Sequence, residues 1–124
     1  MSKRILVVED QEDNRRILRD LLTSVGYEII EAVTGEEGVT MAETGHPDLI
    51  LMDIQLPGID GYETTRRVRA HPALRQVPII AVTSYALSGD DVKAKEAGCD
   101  GYVPKPFSPR ALLAKIREYL PQAV

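Results

Sequence analysis

Five short apolar runs recur along the chain, separated by more polar segments. They lie at residues 5–8, 27–32, 49–52, 79–83 and 101–103. Unbroken apolar runs without polar alternation are typical of strands in a parallel sheet that is covered on both faces. The second run carries Glu28 and Glu31, which favours a place at the edge of the sheet. The pattern therefore predicts five strands of a parallel sheet.

The first two segments between the runs have the signals of helices. Asp13 or Asn14 can cap the first helix, and Gly26 is expected to end it in a left-handed conformation. Residues 34–37, Thr-Gly-Glu-Glu, have capping-box spacing and predict the start of a second helix that closes near Gly45. The first helix is predicted to bury one apolar stripe, made of Ile17, Leu18, Leu21, Leu22 and Val25.

Three more helices are predicted in the second half of the chain. The third runs from about residue 62 to 70 behind the candidate cap Asp60, and the fourth begins at 88–91 and stops at Gly98. Ser108-Pro109 is a good N-cap and first-turn pair for the fifth. The fifth helix is expected to bury Leu112, Leu113, Ile116 and Leu120. Five strands alternating with five helices predict a doubly wound α/β fold.

Composition narrows the class of protein. The chain has 124 residues, so we expect a single domain over residues 1–124 with no output domain. A net charge of −4 argues against nucleic acid as a direct partner, because phosphate binding needs a basic face. One cysteine excludes an internal disulfide, and no apolar run is long enough for a signal peptide or membrane insertion. We therefore expect a cytoplasmic protein.

The chain is organised around the run that ends in Asp53. Four apolar residues lead directly into this carboxylate, and Pro57-Gly58 and Gly61 then break regular structure. Asp53 should therefore lie where a buried strand emerges into a loop, the edge at which ligands bind in open α/β sheets. Asp60 is the better cap for the following helix, which leaves Asp53 for another role.

Further polar residues follow the other strands. Right-handed crossovers place the carboxyl ends of all parallel strands on one rim. Glu9 and Asp10 follow the first strand, Asp53 the third, Thr83 the fourth and Lys105 the fifth. Each residue alone has an ordinary explanation as a solvated charge or a cap. Their coincidence at four strand ends predicts a functional site.

The chemistry of these side chains indicates phosphoryl transfer. Carboxylates in close proximity repel by roughly 4 kcal/mol per pair at 4 Å and an effective dielectric constant of 20. A site that keeps them ionised needs a cation, and oxygen ligands alone select Mg²⁺ or Mn²⁺. A lysine and a threonine hydroxyl can bind phosphoryl oxygens, and an aspartate can be the nucleophile.

Four motifs carry a resemblance to a known family. They are Val-Val-Glu-Asp at 7–10, Asp-Leu-Ile-Leu-Met-Asp-Ile-Gln-Leu-Pro-Gly-Ile-Asp-Gly at 48–61, Pro-Ile-Ile-Ala-Val-Thr at 78–83 and Gly-Tyr-Val-Pro-Lys-Pro at 101–106. From Lys3 to about Leu120 the chain resembles the receiver domain of a two-component response regulator. The resemblance implies a flavodoxin-like sheet with strand order 2-1-3-4-5.

The resemblance also implies roles for the rim residues. Asp53 would accept a phosphoryl group from a sensor histidine kinase or a histidine phosphotransferase, and Lys105 would hold that group. Asp10, Asp53 and the backbone carbonyl of Gln55 would bind Mg²⁺ or Mn²⁺. Glu9 stands where the family most often has Asp, and the longer side chain is expected to reach the metal through water.

A switch and a docking surface are implied in the same way. Thr83 and Tyr102 would be the switch pair: phosphorylation would draw Thr83 towards Asp53, and Tyr102 would fill the space that Thr83 leaves. The Lys105-Pro106 bond is expected to be cis. The fourth helix, last strand and fifth helix would form the face that binds a downstream protein. The architecture resembles stand-alone, single-domain regulators of cell cycle and polarity that act by docking on other proteins. A homodimer of this chain is a further expectation.

Three other functions share parts of this pattern. Haloacid-dehalogenase-like phosphatases use an Asp nucleophile with Mg²⁺, but their second acid lies two residues later, where this chain has Gln55. A flavodoxin-like FMN carrier needs a hydroxyl-rich phosphate cradle after the first strand, where residues 9–13 carry four acids. A pseudo-receiver that is never phosphorylated usually lacks an acid or the lysine, and both are present.

Some polar residues are expected to have ordinary structural roles. His46 and His71 each precede a proline in a predicted connection and have no companion at metal-ligand spacing. Cys99 follows a helix-ending glycine and is expected to pack in the interior. The basic run at 66–69 is interpreted as a solvated helix face.

Overall fold

Five parallel strands form one sheet in the order β2-β1-β3-β4-β5. The computed structural model describes residues 3–83, 90–105 and 108–120. The strands are β1 (Arg4–Val8), β2 (Glu28–Ala32), β3 (Leu49–Asp53), β4 (Ile79–Thr83) and β5 (Gly101–Pro104). The flavodoxin-like order and the parallel direction of the prediction are confirmed, with the glutamate-bearing β2 at one edge.

Helices connect successive strands on both faces of the sheet. They are α1 (Glu12–Ser24), α2 (Gly35–Gly45), α3 (Gly61–Arg69), α4 (Asp90–Ala97) and α5 (Pro109–Tyr119). A short 3-10 helix at Pro72–Leu74, which the sequence did not predict, precedes β4. Two expectations concern residues outside the described ranges, namely the start of α4 before Asp90 and the cis bond to Pro106. Among the described residues, no helix is long and apolar enough to cross a membrane.

The strands bury apolar side chains on both faces. Alternate residues of β1 point into different clusters, so that Leu6 and Val8 lie on one side and Ile5 and Val7 on the other. The first cluster is closed by Ala42, Val68 and Ala94 of α2, α3 and α4. The second is closed by Leu18, Leu22, Leu112 and Ile116 of α1 and α5. Two covered faces explain why β1, β3 and β4 are apolar without alternation.

Three of the predicted helix caps are confirmed. Each cap side chain accepts a hydrogen bond from a backbone N–H three residues later, as such residues do at helix starts. The pairs are Thr34 with Glu37 at 3.1 Å, Asp60 with Glu63 at 2.9 Å, and Ser108 with Ala111 at 3.0 Å. Gly26 and Gly98 have φ values of 97° and 115° after α1 and α4, as expected for left-handed helix ends.

The start of α1 was predicted wrongly. The N-cap is Gln11, which makes no side-chain capping bond, while Asp13 lies in the first turn and pairs with Arg16 at 3.0 Å. The backbone N–H of Gln11 donates to Glu9 Oε2 at 3.1 Å, so a carboxylate of the preceding loop fixes this turn. Ile17, assigned to the buried stripe, is 56% exposed, while Leu18 and Leu22 are buried.

The basic run on α3 is only partly a solvated face. Arg66 and Arg67 lie at the surface and pair with Glu63 of the same helix. Arg69, in contrast, is only 17% exposed, and its guanidinium binds Asp100 Oδ2 at 2.7 Å. It also donates to four backbone carbonyls, those of Leu74, Arg75, Val77 and Gly98. Arg69 therefore fastens α3 to the connections that precede β4 and β5.

The remaining ordinary residues lie away from the rim. Cys99 is buried as predicted, with its Sγ 3.7 Å from Thr65 Oγ1. His71, which follows α3, pairs with Glu43 in the last turn of α2 at 2.8 Å, and His46 is the C-cap of α2 with a φ of 49°. The left-handed conformation at His46 is one that a helix end usually gives to glycine.

Candidate functional site

The sheet register brings the predicted residues to one rim. Val8 pairs with Met52, so the loop after β1, with Glu9 and Asp10, lies beside the end of β3 at Asp53. β4 ends at Thr83, which pairs with Pro104 in β5, directly before Lys105. Glu9, Asp10 and Asp53 each place one carboxylate oxygen within 4.8 Å of the others.

Lys105 lies between two of these carboxylates. Its Nζ donates to Glu9 Oε1 at 2.9 Å and lies 3.4 Å from Asp53 Oδ2. Glu9 is 2% exposed and Asp53 is 5% exposed, so the ammonium group neutralises two nearly buried acids. Burial of these two acids without a partner would cost free energy, which explains why the ammonium group of Lys105 lies against them.

The proton affinities of Glu9 and Lys105 are both increased. Burial raises the pKa of the Glu9 carboxyl, the neighbouring Asp53 raises it further, and the bond from Lys105 opposes part of this effect. Burial by itself would lower the pKa of Lys105. The hydrogen bond to Glu9 and the charge of Asp53 outweigh that effect, so the pKa of Lys105 lies above its ordinary value. The lysine is therefore charged at neutral pH.

Asp53 is held by the backbone that follows it. Its Oδ1 accepts a hydrogen bond from the N–H of Gln55 at 3.0 Å. Gly61 N donates to the carbonyl of Ile54 at 3.0 Å, which brings the start of α3 against the end of β3. A Cβ at Gly61 would lie 2.7 Å from Ile54 Cα and would also overlap the carbonyl oxygen of Asp53. Only glycine allows α3 to begin so close to the acid.

The donor set fits a hard divalent cation. Its three members offer only carboxylate oxygens, and no His or Cys belongs to the group. Oxygen ligands of this kind suit Mg²⁺ or Mn²⁺. Asp10 is half-buried, and its Oδ2 accepts from Gln11 Nε2 at 3.2 Å, so it is the most accessible of the three acids.

Two contacts at the rim were not predicted from the sequence. Gln55 Nε2 donates to Thr83 Oγ1 at 2.8 Å, whereas only the backbone carbonyl of Gln55 was considered. Arg15 of α1 donates to the carbonyls of Glu9 at 3.0 Å and Asp10 at 3.2 Å, and so holds the acidic loop. The position of Arg15 one turn into the helix after the acidic pair is the signal that could have suggested the second contact.

Thr83 and Tyr102 lie on adjacent strands. Thr83 is 1% exposed at the end of β4. Tyr102 pairs with Ala81 in β5, so it lies two positions further from the rim than the residue opposite Thr83. Its ring is half-buried against the apolar cluster beneath α4.

Comparison with known proteins identifies the family. The family model of the response regulator receiver domain matches residues 5–117. The Polar-differentiation response regulator DivK of Brucella ovis is 42% identical over 123 residues, which cover 99% of this chain and 100% of the relative. DivK of Brucella anthropi is likewise 42% identical with the same coverage.

Solved structures with the same fold agree with this match. The receiver domain of a sensor histidine kinase from Pseudomonas aeruginosa PAO1, with a magnesium ion coordinated in its active-site cleft, has a TM-score of 0.90 at 38% identity. That similarity covers 98% of this chain and 100% of the other. A CheY-like receiver domain protein from Methanospirillum hungatei has a TM-score of 0.89 at 36% identity, covering 97% and 94% of the two chains. The chain therefore belongs to the response regulator receiver domains of two-component signalling.

Proposed function

We propose that the protein receives a phosphoryl group on Asp53 from the phosphohistidine of a sensor histidine kinase or histidine phosphotransferase. The observation that supports this proposal is the position of Lys105, whose ammonium group lies 3.4 Å from Asp53 Oδ2 and also binds Glu9. A nearly buried carboxylate beside a fixed cation is suited to accept a phosphoryl group, because the cation offsets its added negative charge.

The transfer exchanges one bond for another. A carboxylate oxygen of Asp53 forms a bond to phosphorus, the phosphorus–nitrogen bond breaks, and the imidazole nitrogen of the donor keeps the electron pair. The product is an acyl phosphate. Lys105 can turn from Glu9 towards the new phosphoryl oxygens, and the hydroxyl of Thr83 can donate to another of them.

Mg²⁺ or Mn²⁺ is the cofactor of this proposal. When bound, the cation neutralises the carboxylates and the transferred phosphoryl oxygens. Asp10, Asp53 and the carbonyl of Gln55 would hold it directly, and Glu9 would act through water. The carboxylates within 4.8 Å of one another, and the magnesium ion of the Pseudomonas receiver domain, support this assignment.

The proposed output is a contact with another protein. A pocket of about 230 Å³ lies between α4, β5 and α5, and Tyr102, Lys95 and Lys115 are among the residues that line it. Val92 of α4, next in the chain to the lining residue Asp91, is 53% exposed. An inward turn of Tyr102 after phosphorylation of Asp53 would change the shape of this surface. A protein that docks there could detect the change, which favours a protein target over direct binding of nucleic acid. The same surface could also bind a second copy of the chain, and a cytoplasmic location is part of this proposal.

A phosphatase of the haloacid-dehalogenase type is disfavoured by Gln55. In those enzymes the second acid lies two residues after the nucleophile. Here that position carries a neutral amide whose Nε2 donates to Thr83. An amide does not serve as a general acid or base near neutral pH.

Labelling with a small phosphodonor tests the proposal. Incubation with acetyl phosphate and Mg²⁺ is expected to add one phosphoryl group to the wild-type protein and none to Asp53→Asn, as measured by intact mass. Asp60→Asn is the matched control, since asparagine also caps helices and the residue lies outside the acidic group. Stable labelling of Asp53→Asn would refute the assignment. If the assignment holds, measurement of phosphotransfer from a panel of kinases of the source organism would identify the donor.

A further inference from the structure

Gln55 contacts both Asp53 and Thr83. Its backbone N–H donates to Asp53 Oδ1 at 3.0 Å, and its side-chain Nε2 donates to Thr83 Oγ1 at 2.8 Å. The side chain therefore crosses from the end of β3 to the end of β4. Thr83 is 1% exposed, so the amide binds a hydroxyl that is almost fully removed from solvent.

We infer that the side chain of Gln55 is a latch that holds Thr83 in its resting position and opposes the switch. This inference rests on the proposed function, because Thr83 has to move towards Asp53 for its hydroxyl to donate to a phosphoryl group there. Such a movement displaces Oγ1 from the amide, and a shift of about 0.7 Å or more away from Nε2 would take the contact of 2.8 Å beyond hydrogen-bond distance.

The latch acts on the equilibrium between the two positions of Thr83. A ligand shifts such an equilibrium only by its difference in affinity for the two states, so part of the phosphoryl binding energy is used to break the contact with Gln55. Gln55 is thus a positioning residue that acts through Thr83. Its removal should favour the switched state before any phosphoryl group is present.

Beryllofluoride, an analogue of the phosphoryl group, provides the test. Gln55→Met removes the donor but keeps a side chain of similar length and all backbone groups. We expect it to bind beryllofluoride with Mg²⁺ roughly two- to tenfold more tightly than the wild-type protein, as one neutral hydrogen bond predicts. Gln55→Leu is a second side chain without a donor and should act in the same direction. Circular dichroism checks that both variants fold.

A double-mutant cycle separates the latch from a general structural role. In a Thr83→Ala background, Gln55→Met should leave the affinity for beryllofluoride unchanged, because no hydroxyl remains to be held. In a Thr83→Ser background the tightening should return. In the ligand-free Gln55→Met protein, the Thr83 methyl resonance should move towards its position in the beryllofluoride complex.

The possible failures are distinguishable. If wild-type protein binds beryllofluoride and Gln55→Met binds it equally or more weakly, the latch is wrong and the proposed function stands. An equal tightening in the Thr83→Ala background also overturns the latch, because Gln55 then acts elsewhere. If the wild-type protein does not bind beryllofluoride and is not labelled by acetyl phosphate, the proposed function fails and the latch fails with it.

Discussion

Lys105 Nζ donates to Glu9 Oε1 at 2.9 Å, a shorter contact than the 3.4 Å between the same nitrogen and Asp53 Oδ2. Lys105 and Glu9 lie 96 positions apart in the sequence. Glutamate at position 9 is one methylene longer than aspartate, and this length lets the carboxylate reach both Lys105 and the N–H of Gln11. The side chain expected to act at the metal through water thus also positions the lysine.

Glu9 should make stability fall with rising pH. Its pKa is raised above the ordinary value of 4.5, so the native state holds the proton more tightly than the unfolded chain does. The stability that this adds is complete below about pH 4.5 and is lost as pH rises through the raised pKa. Urea unfolding in metal-free buffer should therefore show the stability of Glu9→Gln increasing relative to that of wild type as pH rises above 4.5.

Glu63→Gln is the control with the opposite sign. Hydrogen bonds from Arg67 and Arg66 lower the pKa of Glu63 in the folded state. Its contribution to stability is therefore present at pH values above the pKa of the unfolded chain, and it is lost as pH falls through the lowered pKa. A stability difference between Glu9→Gln and wild type that does not change from pH 4 to 8 would contradict the first prediction.

Removal of Asp10 should stabilise the metal-free protein. Asp10 adds a third negative charge to the rim, and Asp10→Asn relieves its repulsion with the other two acids. We expect a gain of about 0.5–1 kcal/mol in the free energy of unfolding, because the residue is half-buried and partly screened. Isothermal titration should show weaker Mg²⁺ binding by the same variant.

Asp13→Asn is the matched control for Asp10. Asp13 lies in the first turn of α1 and pairs with Arg16, so its neutralisation should leave stability unchanged or slightly lower. A loss of several kcal/mol in metal-free Asp10→Asn would reveal a structural role for Asp10 that repulsion does not explain.

Arg69 should matter far more for stability than its neighbour Arg66. Arg69→Met leaves several part-buried carbonyls and Asp100 without their donor, so we expect a loss of roughly 2–4 kcal/mol in the free energy of unfolding. Arg66 is 55% exposed and pairs only with Glu63 among the described residues, so Arg66→Met should change stability by less than about 0.5 kcal/mol. Urea titrations of the two variants give the comparison, and equal losses would contradict it.

Phosphorylation should reach Tyr102 through Thr83. Thr83→Ala is expected to accept a phosphoryl group on Asp53 while losing most of the change at Tyr102, since the hydroxyl that draws β4 towards Asp53 is gone. The chain has five tyrosines, so NMR of selectively labelled tyrosine is the suitable measurement. An undiminished shift of Tyr102 in phosphorylated Thr83→Ala would remove the coupling and leave the acceptor assignment intact.

Local chemistry made much of the fold predictable from the sequence. β3 and β4 were located correctly because strands covered on both faces need apolar residues at every position. The caps at Thr34, Asp60 and Ser108 were predictable because a cap and its backbone partner lie three residues apart. The placement of acids and lysine after strand ends followed from the common rim of parallel strands.

Contacts between distant segments required the tertiary structure. The start of α1 is set by Glu9, a residue outside the helix, so the local cap at Asp13 was the wrong choice. Arg69 looks like its neighbours in the sequence, yet some of its acceptors lie about thirty residues away.

The sequence by itself determined which residue types gather at the rim, because strand ends and charges are properties of short segments. Only the tertiary structure decided which of them touch. The pairing of Lys105 with Glu9 and of Gln55 with Thr83 depends on side-chain lengths and strand register at a scale of about 3 Å. Hydrogen bonds form or fail over such distances, and the order of residues along the chain does not specify them.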